Sequence, residues 1–98
     1  MEIIKNANGP ELEITLAGRL DTMTAPELES ELKQSLNGIE ALTLNFEKLE
    51  YISSAGLRVI LSAQKIMNKQ GEMKIKNVNS EIMDVFEITG FSDILTIE

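Results

Sequence analysis

The chain has 98 residues, of which 43% are hydrophobic and 26% are charged, and its formal net charge at pH 7 is −7. This length suits a single domain, residues 1–98, with a modest apolar core. The acidic balance argues against partners that are nucleic acids or anionic membrane surfaces, and no apolar run is long enough for insertion into a membrane. The N-terminus also lacks the features of a signal peptide, so we expect a cytoplasmic protein.

Histidine and cysteine, which carry much of protein chemistry, do not occur in the chain. Imidazole bases, thiolate nucleophiles, disulfides and the usual zinc or iron ligands are therefore excluded. An enzyme would have to work with carboxylates, Lys or Tyr alone, and neither a Walker loop nor a dinucleotide-binding fingerprint is present. We expect no catalytic residue, no metal and no cofactor.

The chain begins with two predicted strands that form a hairpin. MEIIKNA and LEITLAGRL read as strands, and the turn residues of NANGP lie between them. The apolar residues of the second strand alternate with polar ones, which predicts that one face is buried. The residues expected on that face are Leu12, Ile14 and Leu16.

The first helix is predicted from a start signal and a stop signal at its two ends. Thr24 as N-cap with Glu27 three residues later has the pattern of a capping box, and Pro26 suits the first turn. Gly38 is the predicted stop. One helical stripe is expected to be buried and consists of Leu28, Leu32 and Leu36.

The second half alternates strands with helices. ALTLNF is a strand with Leu42, Leu44 and Phe46 inward, and a helix follows over roughly residues 54–69, ended by Gly71. EMKIKNV is the next strand. A third helix has Asn79 or Ser80 as its cap and Gly90 as its stop, and SDILTI is a short closing strand.

The predicted order is therefore β-β-α-β-α-β-α-β. Strands that alternate with helices favour parallel pairing through right-handed crossovers, whereas the opening hairpin adds an antiparallel pair. We predict the α/β class, with a mixed, mostly parallel sheet of about five strands and three or four helices.

The stretch from Tyr51 to Gly71 contains no Asp or Glu, although the chain has sixteen of them. The second helix therefore starts with hydroxyls and without the acids that usually offset the helix dipole. A phosphate, bound or covalently attached, would suit such a start. The alternative is purely structural: Ser53 or Ser54 caps the helix, and Gly56 packs against the sheet. The residues alone leave both interpretations open, and they predict Leu57, Ile60 and Leu61 as core.

The segment YISSAGLRVIL resembles the helix-start motif of the STAS-domain anti-sigma-factor antagonists, usually Asp-Ser-Ser/Thr-Gly-Leu. AGRLDTMTAPEL resembles the family's passage from second strand to first helix, and KQGEMKIKNVNSEIMDVFEITGFSDIL resembles its closing strand-helix-strand. Nearly the whole chain is covered. The resemblance implies a STAS-like fold and assigns the family's phosphorylated serine to Ser54. Ser53 stands where the family has Asp, which makes Ser53 a second candidate acceptor.

The resemblance also implies a function and its partners. Such a protein, when unphosphorylated, binds an anti-sigma factor and frees the sigma factor; the anti-sigma factor is often a serine kinase, and a metal-dependent serine phosphatase restores the active form. The residues carried over as partner-binding are Asp21, Thr22, Ser53, Ala55, Gly56, Leu57 and Arg58. For Asp21 a turn or capping role is an equal alternative, and Arg58 also reads as a solvated surface residue.

Two other functions remain as alternatives. STAS domains also serve as docking subunits of membrane transport systems, in which case Ser54 would not be phosphorylated. An enzyme or small-ligand carrier is the third hypothesis, but Ser54 lacks the Gly-x-Ser-x-Gly elbow and a histidine base. Neighbouring genes for a permease or for a serine kinase would discriminate the first two.

Overall fold

The computed structural model describes residues 1–98 and contains four strands and three α-helices in the order β-β-α-β-α-β-α, which agrees with the predicted order except for its last strand. The strands are β1 (Glu2–Asn8), β2 (Glu11–Leu20), β3 (Ala41–Ile52) and β4 (Glu72–Lys76). The α-helices are α1 (Ala25–Ser35), α2 (Ser54–Gln70) and α3 (Ser80–Thr89). None of them combines the length and the hydropathy that a membrane crossing requires.

The sheet is mixed and has the strand order β1-β2-β3-β4. β1 and β2 pair antiparallel as a hairpin, whereas the β2–β3 and β3–β4 pairs are parallel. The predicted class and the antiparallel opening are confirmed. The sheet has four strands, one fewer than predicted.

The difference lies in the C-terminal segment, where the predicted closing strand is wrong. Residues Phe91–Asp93 form a 3₁₀ turn, and Ile97 makes a single parallel bridge to Ile75. Only two hydrogen bonds support it, from the Ile75 N–H to the Thr96 oxygen at 2.9 Å and from the Glu98 N–H to the Ile75 oxygen at 2.8 Å. The 3₁₀ turn occupies the first half of the segment, so too little extended chain remains for a full strand.

The core lies between one face of the sheet and the helices. All of the apolar residues predicted to point inward from α1, β2 and β3 are buried. Phe86 of α3 packs against Phe46 of β3, with ring centroids 6.2 Å apart. Leu57 and Ile60 are core residues as predicted, but Leu61 is only half-buried and does not pack on the core. Leu61 lies on the outer side of α2, because each residue turns the helix by about 100°.

The carboxyl ends of the parallel strands β2 and β3 lie side by side. Leu20 and Ile52 are register partners, and the Ser53 N–H donates to the Leu20 oxygen at 2.9 Å. The turn after β2 and the start of α2 therefore share one edge of the sheet. Ligands of open α/β sheets bind outside the carboxyl ends of the strands, which is this edge.

Candidate functional site

The start of α2 uses its two serines differently. Ser53 is the N-cap, with extended backbone angles, and its hydroxyl accepts a hydrogen bond from the Gly56 N–H at 3.3 Å. Ser54 is exposed and its hydroxyl makes no hydrogen bond within the protein. The N–H groups of Ser54 and Ala55 also have no acceptor in the chain. The exposed hydroxyl therefore lies beside two free backbone donors.

The first turn of α2 has no acidic residue, in contrast to those of the other two helices. Glu27 lies in the first turn of α1 and Glu81 in that of α3. The positive end of the α2 dipole is therefore not offset by a carboxylate, and the exposed Arg58 adds a cation one turn further along. The local field favours an anion at this place.

Gly56 is buried at the contact between α2 and the strand ends. A Cβ at this position would lie 2.7 Å from Leu20 Cγ, 3.0 Å from the Leu20 oxygen and 3.0 Å from Ile52 Cγ1. The glycine is therefore required by the packing of α2 on the sheet. Leu57 is a core residue with 6% of its surface exposed. Within the chain, Gly56 and Leu57 therefore support the site from beneath, and their contact with a partner stays a prediction.

Asp21 organises the turn that follows β2. Its carboxylate oxygen Oδ1 accepts hydrogen bonds from the N–H of Met23 at 3.0 Å and of Thr24 at 3.2 Å. Its Oδ2 lies 3.7 Å from Nε of Arg19. These contacts within the chain agree with the turn or capping role, which the sequence left as an alternative for Asp21.

The predicted capping box at α1 is wrong. Thr24 has helical backbone angles and makes no side-chain cap. Its hydroxyl instead accepts from the Asp21 N–H at 2.9 Å and donates to the Arg19 oxygen at 2.8 Å. These partners lie three and five residues earlier in the chain, and the turn after β2 brings them close enough to compete for the hydroxyl.

The same contacts perturb the pKa of Asp21. Partial desolvation acts to raise it, but the hydrogen bonds from the backbone of Thr24 and Met23 outweigh that effect, aided by the Thr24 hydroxyl and the Arg19 charge. The net result is a pKa below the ordinary value of 3.8. Asp21 is therefore held as a carboxylate that fixes the turn.

Three of the predicted residues meet at a shallow cavity between the starts of α1 and α2. Thr22, Ala55 and Arg58 line it together with Pro26 and Glu29, and its volume is about 210 Å³. The structure therefore brings the turn after β2 and the first turn of α2 onto one continuous surface. We refer to the exposed or half-exposed residues of this region as the switch surface: Asp21, Thr22, Ser53, Ser54, Ala55 and Arg58.

Sequence reasoning missed three residues beside this surface. The guanidinium of Arg19 stacks on the ring of Tyr51, with Cζ 4.2 Å from the centroid. The two residues are register partners on β2 and β3, which only the strand pairing could reveal. Met23 is 84% exposed at the tip of the turn. Its position between two threonines in a turn was the available signal for an exposed apolar side chain.

The arrangement offers a binding surface and a hydroxyl acceptor. The Ser54 hydroxyl has no hydrogen-bonded base, and no cluster of three or more acidic residues could hold a metal ion. The surface can accept hydrogen bonds, can donate hydrogen bonds from two backbone N–H groups, and presents one free, exposed hydroxyl.

Comparison with known proteins places these features in a family. The model of the STAS domain matches residues 2–98. The chain is 33% identical to the anti-sigma-B factor antagonist of Listeria monocytogenes, covering 97% of this chain and 85% of that one. It is 29% identical to the anti-sigma-B factor antagonist of Bacillus subtilis, covering 99% and 88%. The Bacillus cell fate determinant SpoIIAA in its phosphorylated form has a similar fold, with a TM-score of 0.77, 17% identity and coverage of 99% and 91%.

Proposed function

The chain belongs to the STAS domain family, and we propose that it is an anti-sigma factor antagonist whose partner binding is switched by phosphorylation of Ser54. Relatives that bear this name align over nearly the whole chain. In the unphosphorylated state the switch surface binds an anti-sigma factor in the cytoplasm, and the sigma factor is released. The protein acts by binding and not by catalysis.

The observation that carries the proposal is the contrast between two adjacent serines. The Ser53 hydroxyl is occupied as the cap of α2, whereas the Ser54 hydroxyl is exposed and free. A kinase can therefore reach Ser54 without breaking a hydrogen bond of the fold. Ser53 is half-buried, which makes it the poorer of the two acceptors.

Phosphorylation would change the charge of the surface at its centre. A phosphoserine carries nearly two negative charges at neutral pH, and the surrounding stretch has no acid of its own. An anti-sigma factor that fits a neutral hydroxyl would have to desolvate this dianion on binding, so the complex dissociates. We assign the kinase activity to the anti-sigma factor and the reversal to a metal-dependent serine phosphatase.

The proposal is tested with the protein recovered from its native cells. Intact-mass and peptide mass spectrometry should find a single phosphoryl group on Ser54. It should be lost in Ser54→Ala and kept in the matched control Ser53→Ala. The unphosphorylated protein should co-elute with the kinase-type anti-sigma factor of the same organism on size exclusion, and the phosphorylated protein should elute alone.

Two results would contradict the proposal. A phosphoryl group on Ser53 would show that the acceptor has been assigned to the wrong serine. A protein that stays unmodified through growth and stress, and that elutes with a permease or a transport ATPase, would instead identify a docking subunit of a transport system.

A further inference from the structure

Helix α2 presents a row of cations on its outer side. Three exposed residues follow Ser54 along the helix: Arg58, Lys65 and Lys69. Their spacing places them on the same face of α2 as Ser54. We call these three residues the basic stripe. From Ser54 to Lys69 it extends for about 22 Å, since an α-helix rises about 1.5 Å per residue. The stripe therefore begins at the switch surface and runs away from it along α2.

The charges of the stripe are not neutralised within the chain. The protein has nine Lys and Arg, and four of them lie within ion-pair distance of carboxylates: Lys5, Arg19, Lys33 and Lys76. Three of the other five form the stripe. No acidic residue occurs anywhere from Tyr51 to Gly71. Glu29 of α1 lines the cavity beside Arg58 but pairs with Lys33 at 3.4 Å. In a chain with a net charge of −7, the stripe is therefore a row of three cations without an ion-pair partner.

An apolar side chain lies within the stripe. Leu61 is half-buried, does not pack on the core and is on the same side of α2 as Ser54 and Lys65. An apolar contact surrounded by charges is the usual anatomy of a protein interface, in which a desolvated centre has a polar rim. The outer side of α2 has this composition.

We propose that the basic stripe with Leu61 is the docking surface for an acidic face of the anti-sigma factor. The inference rests on the proposed function and adds the chemistry of the partner. It also supplies a physical reason for release: a phosphate on Ser54 places negative charge at one end of the stripe, where it repels an acidic partner. Charge complementarity of this kind sets association rate and specificity.

A protein partner fits the stripe better than a membrane or a nucleic acid. Both of these present extended negative charge, and the acidic remainder of the chain would be repelled by it. A protein can present a localised acidic face of the length of the stripe. The proposal therefore commits to an acidic protein surface, and the membrane becomes an outcome of the test.

The test uses the full-length protein and the purified kinase-type anti-sigma factor of the same organism. The charge-reversed variant is Lys65→Glu with Lys69→Glu. The matched control is Lys48→Glu with Lys74→Glu, because these lysines also lack ion-pair partners, lie outside α2 and change the net charge equally. Affinity is measured by calorimetry at low and at moderate salt, and circular dichroism verifies that each variant is folded.

The reversal on α2 should raise the Kd at least about tenfold, while the control changes it by less than about threefold. Added salt should weaken the wild-type complex and not the reversed one. Equal effects of the two variants, or none, would overturn the inference and leave the proposed function intact. The lack of any wild-type complex would overturn both. Retention of the wild type on phosphatidylserine vesicles, lost on reversal of the stripe, would assign the stripe to a membrane and overturn the inference.

Discussion

The Ser53 hydroxyl accepts a hydrogen bond from the Gly56 N–H at 3.3 Å, and this contact starts α2. The Ser53 hydroxyl is therefore used to cap the helix, whereas the adjacent hydroxyl of Ser54 remains free. Stability and the proposed regulation should therefore be separable by single substitutions, because each hydroxyl has its own surroundings.

Ser53→Ala should destabilise the protein, whereas Ser54→Ala should not. Loss of an N-cap hydroxyl costs about 1 kcal/mol of the free energy of unfolding, and a change at an exposed, unbonded hydroxyl stays within about 0.5 kcal/mol. Urea unfolding of the two variants beside the wild type measures both values. Equal destabilisation would mean that the two serines share the cap.

Gly56→Ala should lower stability although alanine favours helix formation. The gain in helix propensity is about 1 kcal/mol. The new Cβ, however, would lie 2.7 Å from Leu20 Cγ and 3.0 Å from the Leu20 oxygen. Overpacking of this kind typically costs about 1–3 kcal/mol, which outweighs the gain in propensity. A net loss of about 1 kcal/mol is expected in thermal or urea unfolding.

The control for this substitution is Ser62→Ala, which introduces the same residue at an exposed position of the same helix and adds no Cβ. It should leave the midpoint of unfolding almost unchanged. A stabilised Gly56→Ala would show that Leu20 can move aside and that the glycine is not required for packing.

These local contacts explain how far the sequence could predict the site. The 3.6- and two-residue periods placed the leucines of α1 and the alternating residues of β2 correctly, because burial on one face is a local pattern. Gly56 stayed ambiguous because the atoms that surround it belong to strand ends that are distant in sequence. Only the parallel pairing of Leu20 with Ile52 shows that the helix must approach so closely.

Thr24 illustrates the other kind of error. Its spacing to Glu27 satisfies a helix-start pattern, and that pattern does mark the beginning of α1 to within a residue. The hydroxyl nevertheless bonds to the backbone of Arg19 and Asp21, since the strand end folds back onto it. The position of the helix could be predicted, but the partners of this hydroxyl depend on the conformation of the turn between β2 and α1.

The carboxylate of Asp21, in the turn after β2, should make the stability of the protein depend on pH in the acid range. The pKa of Asp21 lies below 3.8 in the folded state, so its carboxylate stabilises the fold above that pH. This contribution is lost as the pH falls from 3.8 through the lower folded value. Asp21→Ala should therefore be less stable than the wild type at pH 7, and the difference should shrink as the pH falls below 3.8.

The measurement is the melting temperature of both proteins from pH 7 down to about pH 2.5. Asp84→Ala, which removes an exposed carboxylate of α3, is the control for a general change of charge. A difference between Asp21→Ala and wild type that stays constant at low pH would show that the turn is held by contacts other than the ionised carboxylate.

Phosphoserine at position 54 should stabilise the isolated protein while it weakens partner binding. The phosphate would lie in the first turn of α2, which has free N–H groups and no acid, and a negative charge there is worth about 0.3–1 kcal/mol. Arg58 follows four residues later and can pair with it, adding about 0.2–0.5 kcal/mol. The melting temperature of protein with genetically encoded phosphoserine should exceed that of the serine form, and the difference should shrink in high salt.

Arg58→Gln should reduce this gain in melting temperature. Lys65→Gln, which removes the same charge further along the helix, should leave the gain nearly intact. A phosphoserine form that melts at lower temperature would imply that release follows from disruption of the helix start. Together with weakened binding, a higher melting temperature would instead attribute release to charge at the interface.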